Sequence, residues 1–372
     1  MHPARTPVTI IYGLAGSGKT TVAKYLCRHC GGWHIGLIGG ARDDDFDEVL
    51  RLACGNEFDY LLFEARAGSD PESTAARLTA GSRAGGALAE LVRLDTVVAV
   101  VDASSLLADF CSWDLLADRG LAVHLTDDRA LVEVLAEQIE FADVVILTKI
   151  DRVSQSVRRN AGVLVRALNP EAVVIESEFG CVPPHKVLST HGFQLARAQG
   201  RASWVQVLSG TDMSSTDLFG ISGFRYQSPR PFHPQRFMQF VRSEWPGVIR
   251  CRGFFWLASR MDWMGEISQA GASRRHRAVG SWWASVLAGK EPDPQLIESL
   301  AGVAWDPLFG DRRQQLAFVG IDMDQAYLRA RLDECLVDDG EFARGPEVWQ
   351  MYPDPFPPWD SVPHPRRTER VH

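Results

Sequence analysis

Residues 13–21 read GLAGSGKTT, which holds the spacing G-x-x-x-x-G-K-T. Glycines at such spacing let backbone N–H groups curl around phosphate oxygens, and a helix starting there adds positive potential. Gly13, Ala15, Gly16, Ser17, Gly18 and Thr21 would form the cradle. Lys19 would reach the outer phosphates, and Thr20 would offer its hydroxyl to Mg²⁺. A second acid fits the same chemistry. Glu64 ends the apolar run YLLF at 60–63 and would hold Mg²⁺ directly or through water. A third group follows the apolar run at 144–147: Thr148, Lys149, Ile150 and Asp151. A carboxylate placed like that of Asp151 accepts from guanine N1–H and the exocyclic amine, a pair that adenine lacks, while the stem of Lys149 would pack over the base. Each signal has a plain structural alternative: a glycine-rich turn, a solvated strand-end acid, an exposed strand-to-helix turn. Together they imply a nucleoside triphosphate, GTP before ATP.

A different chemistry is conceivable at CRHCGGWH, residues 27–34. Cys27, Cys30 and His34 lie at i, i+3 and i+7 and would share a face if one helix carried all three, giving a zinc site. The alternative is a buried helix face lined by small apolar thiols. Gly31 and Gly32 should end the helix, and a fourth ligand is not evident.

Elements must position these groups. Strands are expected at 8–12, 60–63, 96–101, 144–147 and 172–175, with helices at 20–30, over an amphipathic stretch at 129–141, and near 164–168. The run TVVAVV at 96–101 is apolar throughout, as in a parallel strand covered on both faces. The alternation implies an α/β fold with a doubly wound parallel sheet over residues 1–190. Gly13, Glu64 and Lys149 then fall at the carboxyl ends of strands, where such sheets bind ligands.

Residues 191–219 are polar and mixed and read as a linker. Residues 220–360 read as a smaller α+β domain, with strands near 224–227, 253–258 and 315–321 and helices near 234–245 and 323–336. That half holds eight of the eleven tryptophans, at 245, 256, 263, 282, 283, 305, 349 and 359, which suit either a partner surface or a core of large side chains. Residues 361–372 read as a flexible tail.

Bulk properties narrow the class. Hydrophobic content of 45% and charged content of 23% are those of a globular protein. The net charge of −8 argues against nucleic-acid or anionic-membrane binding. No apolar run approaches the roughly 20 residues of a membrane helix. The chain runs from its first residues straight into a strand, leaving no room for a signal peptide. Seven cysteines, sparse and odd in number, suit a reduced cytoplasm, which is the expected location.

These segments resemble the CobW-like GTPases, a branch of P-loop proteins, along nearly the whole chain. GLAGSGKTT is similar to the family's phosphate loop, FDYLLFEARAGSDP to its second nucleotide element, and AEQIEFADVVILTKID to its base-reading segment. LNPEAVVIES fits its next strand. RPFHPQRF, RGFFWLAS, SWWAS, GDRRQQLAFVG and DPFPPW resemble the carboxyl-terminal domain of the subgroup tied to zinc homeostasis and nitrile hydratase activation. The resemblance implies a GTPase domain followed by a CobW carboxyl-terminal domain, Mg²⁺-dependent GTP binding and slow hydrolysis. It also implies delivery of a metal, often zinc, to a client metalloprotein. It assigns 13–21 to the phosphates, Thr20 and Glu64 to Mg²⁺, and Thr148, Lys149 and Asp151 to guanine.

The chain departs from that pattern in four places. Aligning Arg42, Asp43 and Asp44 with the family's arginine and acid puts Gly36, Ile38 and Gly39 where a C-x-C-C metal motif belongs. Only 15 residues separate Thr20 from Gly36, which leaves little room for a second strand and a first switch loop. Ala67 stands at the second switch's glycine position, with Gly68 next, and Thr148 replaces asparagine. Three functional readings follow: a GTP-hydrolysing metallochaperone, a nucleotide-gated protein-binding factor without metal handling, and an adenine-nucleotide kinase, against which Asp151 argues.

Overall fold

A strand with no polar side has to be covered on both faces, and the central strands of the first sheet are. The computed structural model describes residues 5–39, 45–79, 86–211, 219–287 and 305–359. Its first sheet contains β1 (Thr6–Tyr12), β2 (Ile35–Gly39), β3 (Tyr60–Glu64), β4 (Val92–Asp102), β5 (Val144–Thr148) and β6 (Val173–Glu176). All pair in parallel, in the order β2-β3-β1-β4-β5-β6. Side chains alternate between the faces. Val8, Ile10 and Tyr12 join Leu61 and Phe63 in one core, while Ile11 joins Leu62, Val100 and Ile146 in the other. This is the α/β doubly wound fold the strand–helix alternation predicts. From β1 the chain winds towards β2, and from β4 towards β6, so the crevice between the carboxyl ends of β1 and β4 is a topological switch point.

Three expectations need correction. A second strand that was not expected is present, β2, short and on the sheet edge, but it begins only at Ile35 and takes in Gly36 itself. Its two glycines hid it. Gly36 sits in a crowded place, since a Cβ would lie 2.8 Å from Leu61 Cδ2 and 3.1 Å from Phe58 Cγ. The helix expected to be amphipathic, Leu131–Phe141, is instead buried all round, with Glu133, Gln138 and Glu140 enclosed. The stretch expected to be a linker carries helices Leu195–Gly200 and Ser203–Leu208. It is anchored by polar groups that composition reads as solvent-seeking: the backbone N–H of His191 donates to Asp95, and Arg201 reaches Asp143 at 2.5 Å. By its contacts the chain divides into one compact unit of residues up to Gln206 with Ala270–Ser273, and a second of Val207–Gln269 with residues from Arg274 onward. Asp43 and Asp44, residues 212–218 and the tail at 361–372 lie outside the described residues.

The second unit is built on a five-stranded sheet of β7 (Ile221–Ser228), β8 (Val248–Phe255), β9 (Trp263–Ala270), β10 (Ser273–Ser281) and β11 (Gln314–Ile321), in the order β10-β9-β8-β11-β7. β11 runs antiparallel to both neighbours. Helices Pro234–Arg242 and Gln325–Asp333 contribute Phe237, Phe240, Leu328 and Leu332 to its core. Pro234 occupies the first helical turn, where its missing N–H costs nothing. Of the tryptophans, 245, 256, 282, 349 and 359 are buried, so most fill core, while Trp283 and Trp305 reach solvent. Residues 354–359 form a strap. Arg260 donates to Asp354 Oδ2 at 2.7 Å and to the carbonyls of Phe356 and Pro357, both at 2.7 Å, which seats Phe356 and Trp359 in the core.

Arg236 grips Glu341 with two bonds of 2.9 and 2.6 Å. That grip holds the Glu341 carboxyl down to about 2, against an ordinary 4.5. A folded-state value below the unfolded one means the pair stabilises fully above about pH 4.5 and loses its contribution as pH falls towards 2. In denaturant titrations at stepped pH, wild type should lose stability across that window and Glu341→Gln should not show that step.

Candidate functional site

The loop at 13–18 leaves the carboxyl end of β1 and enters helix Lys19–Arg28. Gly13 has φ 149°, and a Cβ there would lie 2.3 Å from the carbonyl oxygen of Val100. Only glycine lets the loop pass β4 so closely. Ser17 Oγ is buried with no partner among the described residues. A phosphate oxygen would satisfy it. Lys19 is folded over the loop, its Nζ donating to Gly13 O at 2.7 Å and Leu14 O at 3.1 Å. Burial pushes its ammonium pKa down, and the Glu64 charge opposes that.

Register places Glu64 beside Ile11 at the end of β1. Thr20 Oγ1 donates to Glu64 Oε1 at 2.6 Å. The two groups expected to hold Mg²⁺ are therefore brought together, and a hydroxyl with a carboxylate is the hard oxygen set that this cation takes. Thr148 Oγ1 donates to Ser17 O at 2.6 Å, so the end of β5 is tied to the phosphate loop. Lys149 follows with φ 55°, a costly conformation for a residue with a side chain. Its ammonium lies 2.6 Å from Asp102 Oδ2. Asp151 sits in the turn Ile150–Arg152, exposed, with Arg152 Nε 4.0 Å away. A cavity of about 310 Å³ opens at the switch point, lined by Ala15, Gly16, Ser17, Asp102, Arg119 and Lys149 among others.

Asp102 is the site residue that the sequence reading gave no role. Burial disfavours its charge, but Lys149 and Ser104 outweigh burial and hold its carboxyl below the usual range. The signal was present: Asp102 ends an apolar strand, as Glu64 does. Gln138 and Arg129, which hold the segment after Glu64, had no sequence signal of their own.

Cys27, Cys30 and His34 are not brought together. The helix stops at Arg28. Cys30 Sγ donates to the carbonyls of Cys27 and Trp33, while His34 Nδ1 lies 2.6 Å from the carbonyl of Glu57. Burial raises the Cys27 thiol pKa, which disfavours the thiolate that zinc needs. Among the described residues no three His, Cys, Asp or Glu side chains gather as a metal-binding set. Ile38 is buried in the core beside the closely packed Gly36.

Residues 40–176 match the model of the CobW/HypB/UreG nucleotide-binding domain, and residues 221–336 match the cobalamin synthesis protein cobW C-terminal domain. The zinc-regulated GTPase metalloprotein activator 1 of Dictyostelium discoideum is 30% identical over 402 residues, covering 95% of this chain and 84% of its own length. The chain belongs to the CobW family. Another protein similar to this CobW member is named zinc chaperone, from Mycobacterium tuberculosis. It is 30% identical over 243 residues, 64% of this chain and 58% of its own length. The Zn(II)-bound YjiA GTPase of E. coli aligns over 90% of the chain and 100% of its own, at 15% identity and a TM-score of 0.38. Among the described residues of this CobW protein, no helix is long and apolar enough to cross a membrane.

Proposed function

We propose that this chain binds GTP with Mg²⁺, hydrolyses it slowly, and uses that cycle to deliver a metal, zinc as the candidate cargo, to a client metalloprotein. The observation that carries the reading is the convergence of four chain segments at one end of the first sheet. Thr20 meets Glu64, Thr148 meets Ser17, and Lys149 meets Asp102. The names of the two relatives support the cargo.

Each group has a task in this reading. Loop amides and the Ser17 hydroxyl bind phosphate oxygens. Lys19 exchanges its two carbonyl partners for the outer phosphates. Thr20 and Glu64 open to hold Mg²⁺, which would neutralise charge developing on the phosphates. Thr148 fixes the spacing between phosphate loop and base loop. Asp102 steadies the Lys149 ammonium so that its stem lies along the base, and Asp151 reads guanine. The carboxyl-terminal domain would meet the client.

One observation favours a second reading, a nucleotide-gated binding protein without metal handling. Positions 36 and 38, where the family resemblance puts thiolates, are built into the sheet and its core. Zinc titration with GTP-loaded and GDP-loaded protein separates the two. Stoichiometric zinc that depends on the nucleotide supports delivery, and none in either state supports gating.

The nucleotide is tested by competition. A tenfold excess of ATP should leave labelled GTP bound. Asp151→Asn keeps one acceptor oxygen but sets an NH2 donor against a guanine N–H and gives up the charge, and should weaken GTP by roughly 100-fold, at about 1.4 kcal/mol per tenfold. Equal displacement by ATP and GTP would end the guanine assignment.

A further inference from the structure

A short stretch between β4 and β5 is fastened to the phosphate loop. Leu116 N–H donates to Arg129 O at 2.9 Å, and Leu131 N–H donates to Asp114 O at 2.9 Å, which ties the stretch to the start of helix Leu131–Phe141. Leu116 is wholly buried, and with Leu131 and Val134 it makes a small apolar cluster. Leu14 of the phosphate loop packs against that cluster, as does Leu121. Between Leu116 and Leu121 the chain makes the single turn Ala117–Arg119, ended by Gly120 at φ 66°. Leu121 N–H closes back on Leu116 O at 2.8 Å. The turn is therefore held at both ends, and its last residue is Arg119.

Arg119 lines the same cavity as Ala15, Gly16 and Ser17. Two acids hold it. Nε donates to Asp114 Oδ2 at 2.6 Å, and Nη2 lies 3.6 Å from Oδ1 of Asp109, close enough for attraction but too long for a hydrogen bond. Asp109 is nearly enclosed and also lines the cavity. The terminal nitrogens of Arg119 make no hydrogen bond among the described residues, which leaves their fork of N–H groups for an oxyanion in the cavity. Among the described residues, Lys149 is the other cation on that wall, and its ammonium is taken by Asp102 at 2.6 Å.

We propose that Arg119 is a catalytic residue of GTP cleavage, whose terminal N–H groups donate to phosphate oxygens as the outer phosphoryl group is transferred. The assignment rests on the GTP reading. In that step the oxygen of water bonds to the outer phosphorus. The bond from that phosphorus to the bridging oxygen breaks, and GDP leaves with the electron pair. Of the two protons of water, one stays on the released phosphate and one passes to solvent. Negative charge gathers on the bridging oxygen, and a cation already in place there lowers the barrier. Arg119 gives up no proton; it supplies charge in the geometry of a fork. Asp114 and Asp109 keep the guanidinium in place before the nucleotide arrives, so the chain carries its own cation for the step.

Single-turnover conversion of GTP to GDP with Mg²⁺, run on the full chain, tests this. Arg119→Ala should slow conversion about 100-fold, while the Kd for Mg²⁺ with a non-hydrolysable GTP analogue changes less than about threefold. Arg119→Lys keeps a charge without the fork and should stay at least about tenfold slow. Free guanidinium should speed Arg119→Ala and leave Lys19→Ala idle. Wild type should retain labelled GDP with aluminium fluoride, which mimics the transferring phosphoryl group, and Arg119→Ala should not. A second change separates catalysis from screening. Asp109→Asn added to Arg119→Ala neutralises the acid that the lost guanidinium faced, and the double variant should stay slow. Its recovery to within about threefold of wild type would mean that Arg119 only screens Asp109, and would overturn the assignment. So would an Arg119→Ala rate within about threefold of wild type, or a wild type that binds GTP and does not cleave it. If wild type binds GTP no better than Lys19→Ala, the GTP reading has failed and the assignment falls with it. Urea unfolding checks that each variant is folded, and should Arg119→Ala not fold, Arg119→Lys supplies the same comparison.

Discussion

Replacing Lys19 with alanine should weaken Mg·GTP binding by about 100-fold or more, since each charge-assisted bond is worth roughly 1.5–3 kcal/mol and two phosphates lose one. Single-turnover conversion of GTP to GDP should disappear with it. The reason lies in how Lys19 is kept. It is nearly buried, and its ammonium is held over the loop by the carbonyls of Gly13 and Leu14. Labelled-GTP binding and rapid quench measure the two effects. Unchanged affinity in Lys19→Ala would remove residues 13–21 as the nucleotide site. Wild type that binds GTP without cleaving it would move the balance to the gated binding protein.

Arg201→Ala should cost about 3–5 kcal/mol, the usual penalty for leaving one member of a buried ion pair without its partner. Arg201 and Asp143 are both almost wholly enclosed and lie 2.5 Å apart. Burial pushes the Asp143 carboxyl up even with Arg201 opposing it. Asp143 also accepts the N–H of Val97 in β4 at 2.7 Å, so the loss reaches the sheet. Urea unfolding measures the cost. An Asp143→Asn change added to Arg201→Ala should recover part of it, because the unpaired charge goes. A loss below about 1 kcal/mol would mean water replaces the guanidinium at little expense. A fragment ending at residue 190 lacks Arg201 altogether, and it should be less stable than one ending at 206.

The candidate nucleotide site was legible in the sequence because its chemistry leaves few choices. Gly13, Lys19, Thr20, Glu64 and Thr148 are dictated by residue type and spacing; Gly13, Glu64 and Thr148 stand at strand ends, and Lys19 and Thr20 open the helix that follows. What stayed hidden is tertiary. β9 and β10 carry WMGEISQA and SRRHRAVGS, where glycines and arginines mask any alternation. Arg252 and Arg277 are paired across that sheet through Glu266, so charge reads as surface only until its partner is known. Helix Leu131–Phe141 looked two-faced because Glu133, Gln138 and Glu140 are polar, and no local rule says that a polar residue has found a buried partner. The same blindness turned Arg201 into linker.

The closed space around Gly36 sets terms for anyone wishing to engineer thiols into β2. A side chain at 36 would meet Leu61 and Phe58 at once, and one at 38 would replace a core isoleucine. A cysteine at 39 would stand free, because nothing approaches that position within 4 Å. Restoring a triplet is therefore a repacking problem before it is a coordination problem. Leu61 and Phe58 have to shift aside or shrink first. Any ancestor or descendant of this chain with thiols at those places should show the compensating change on β3 or just before it.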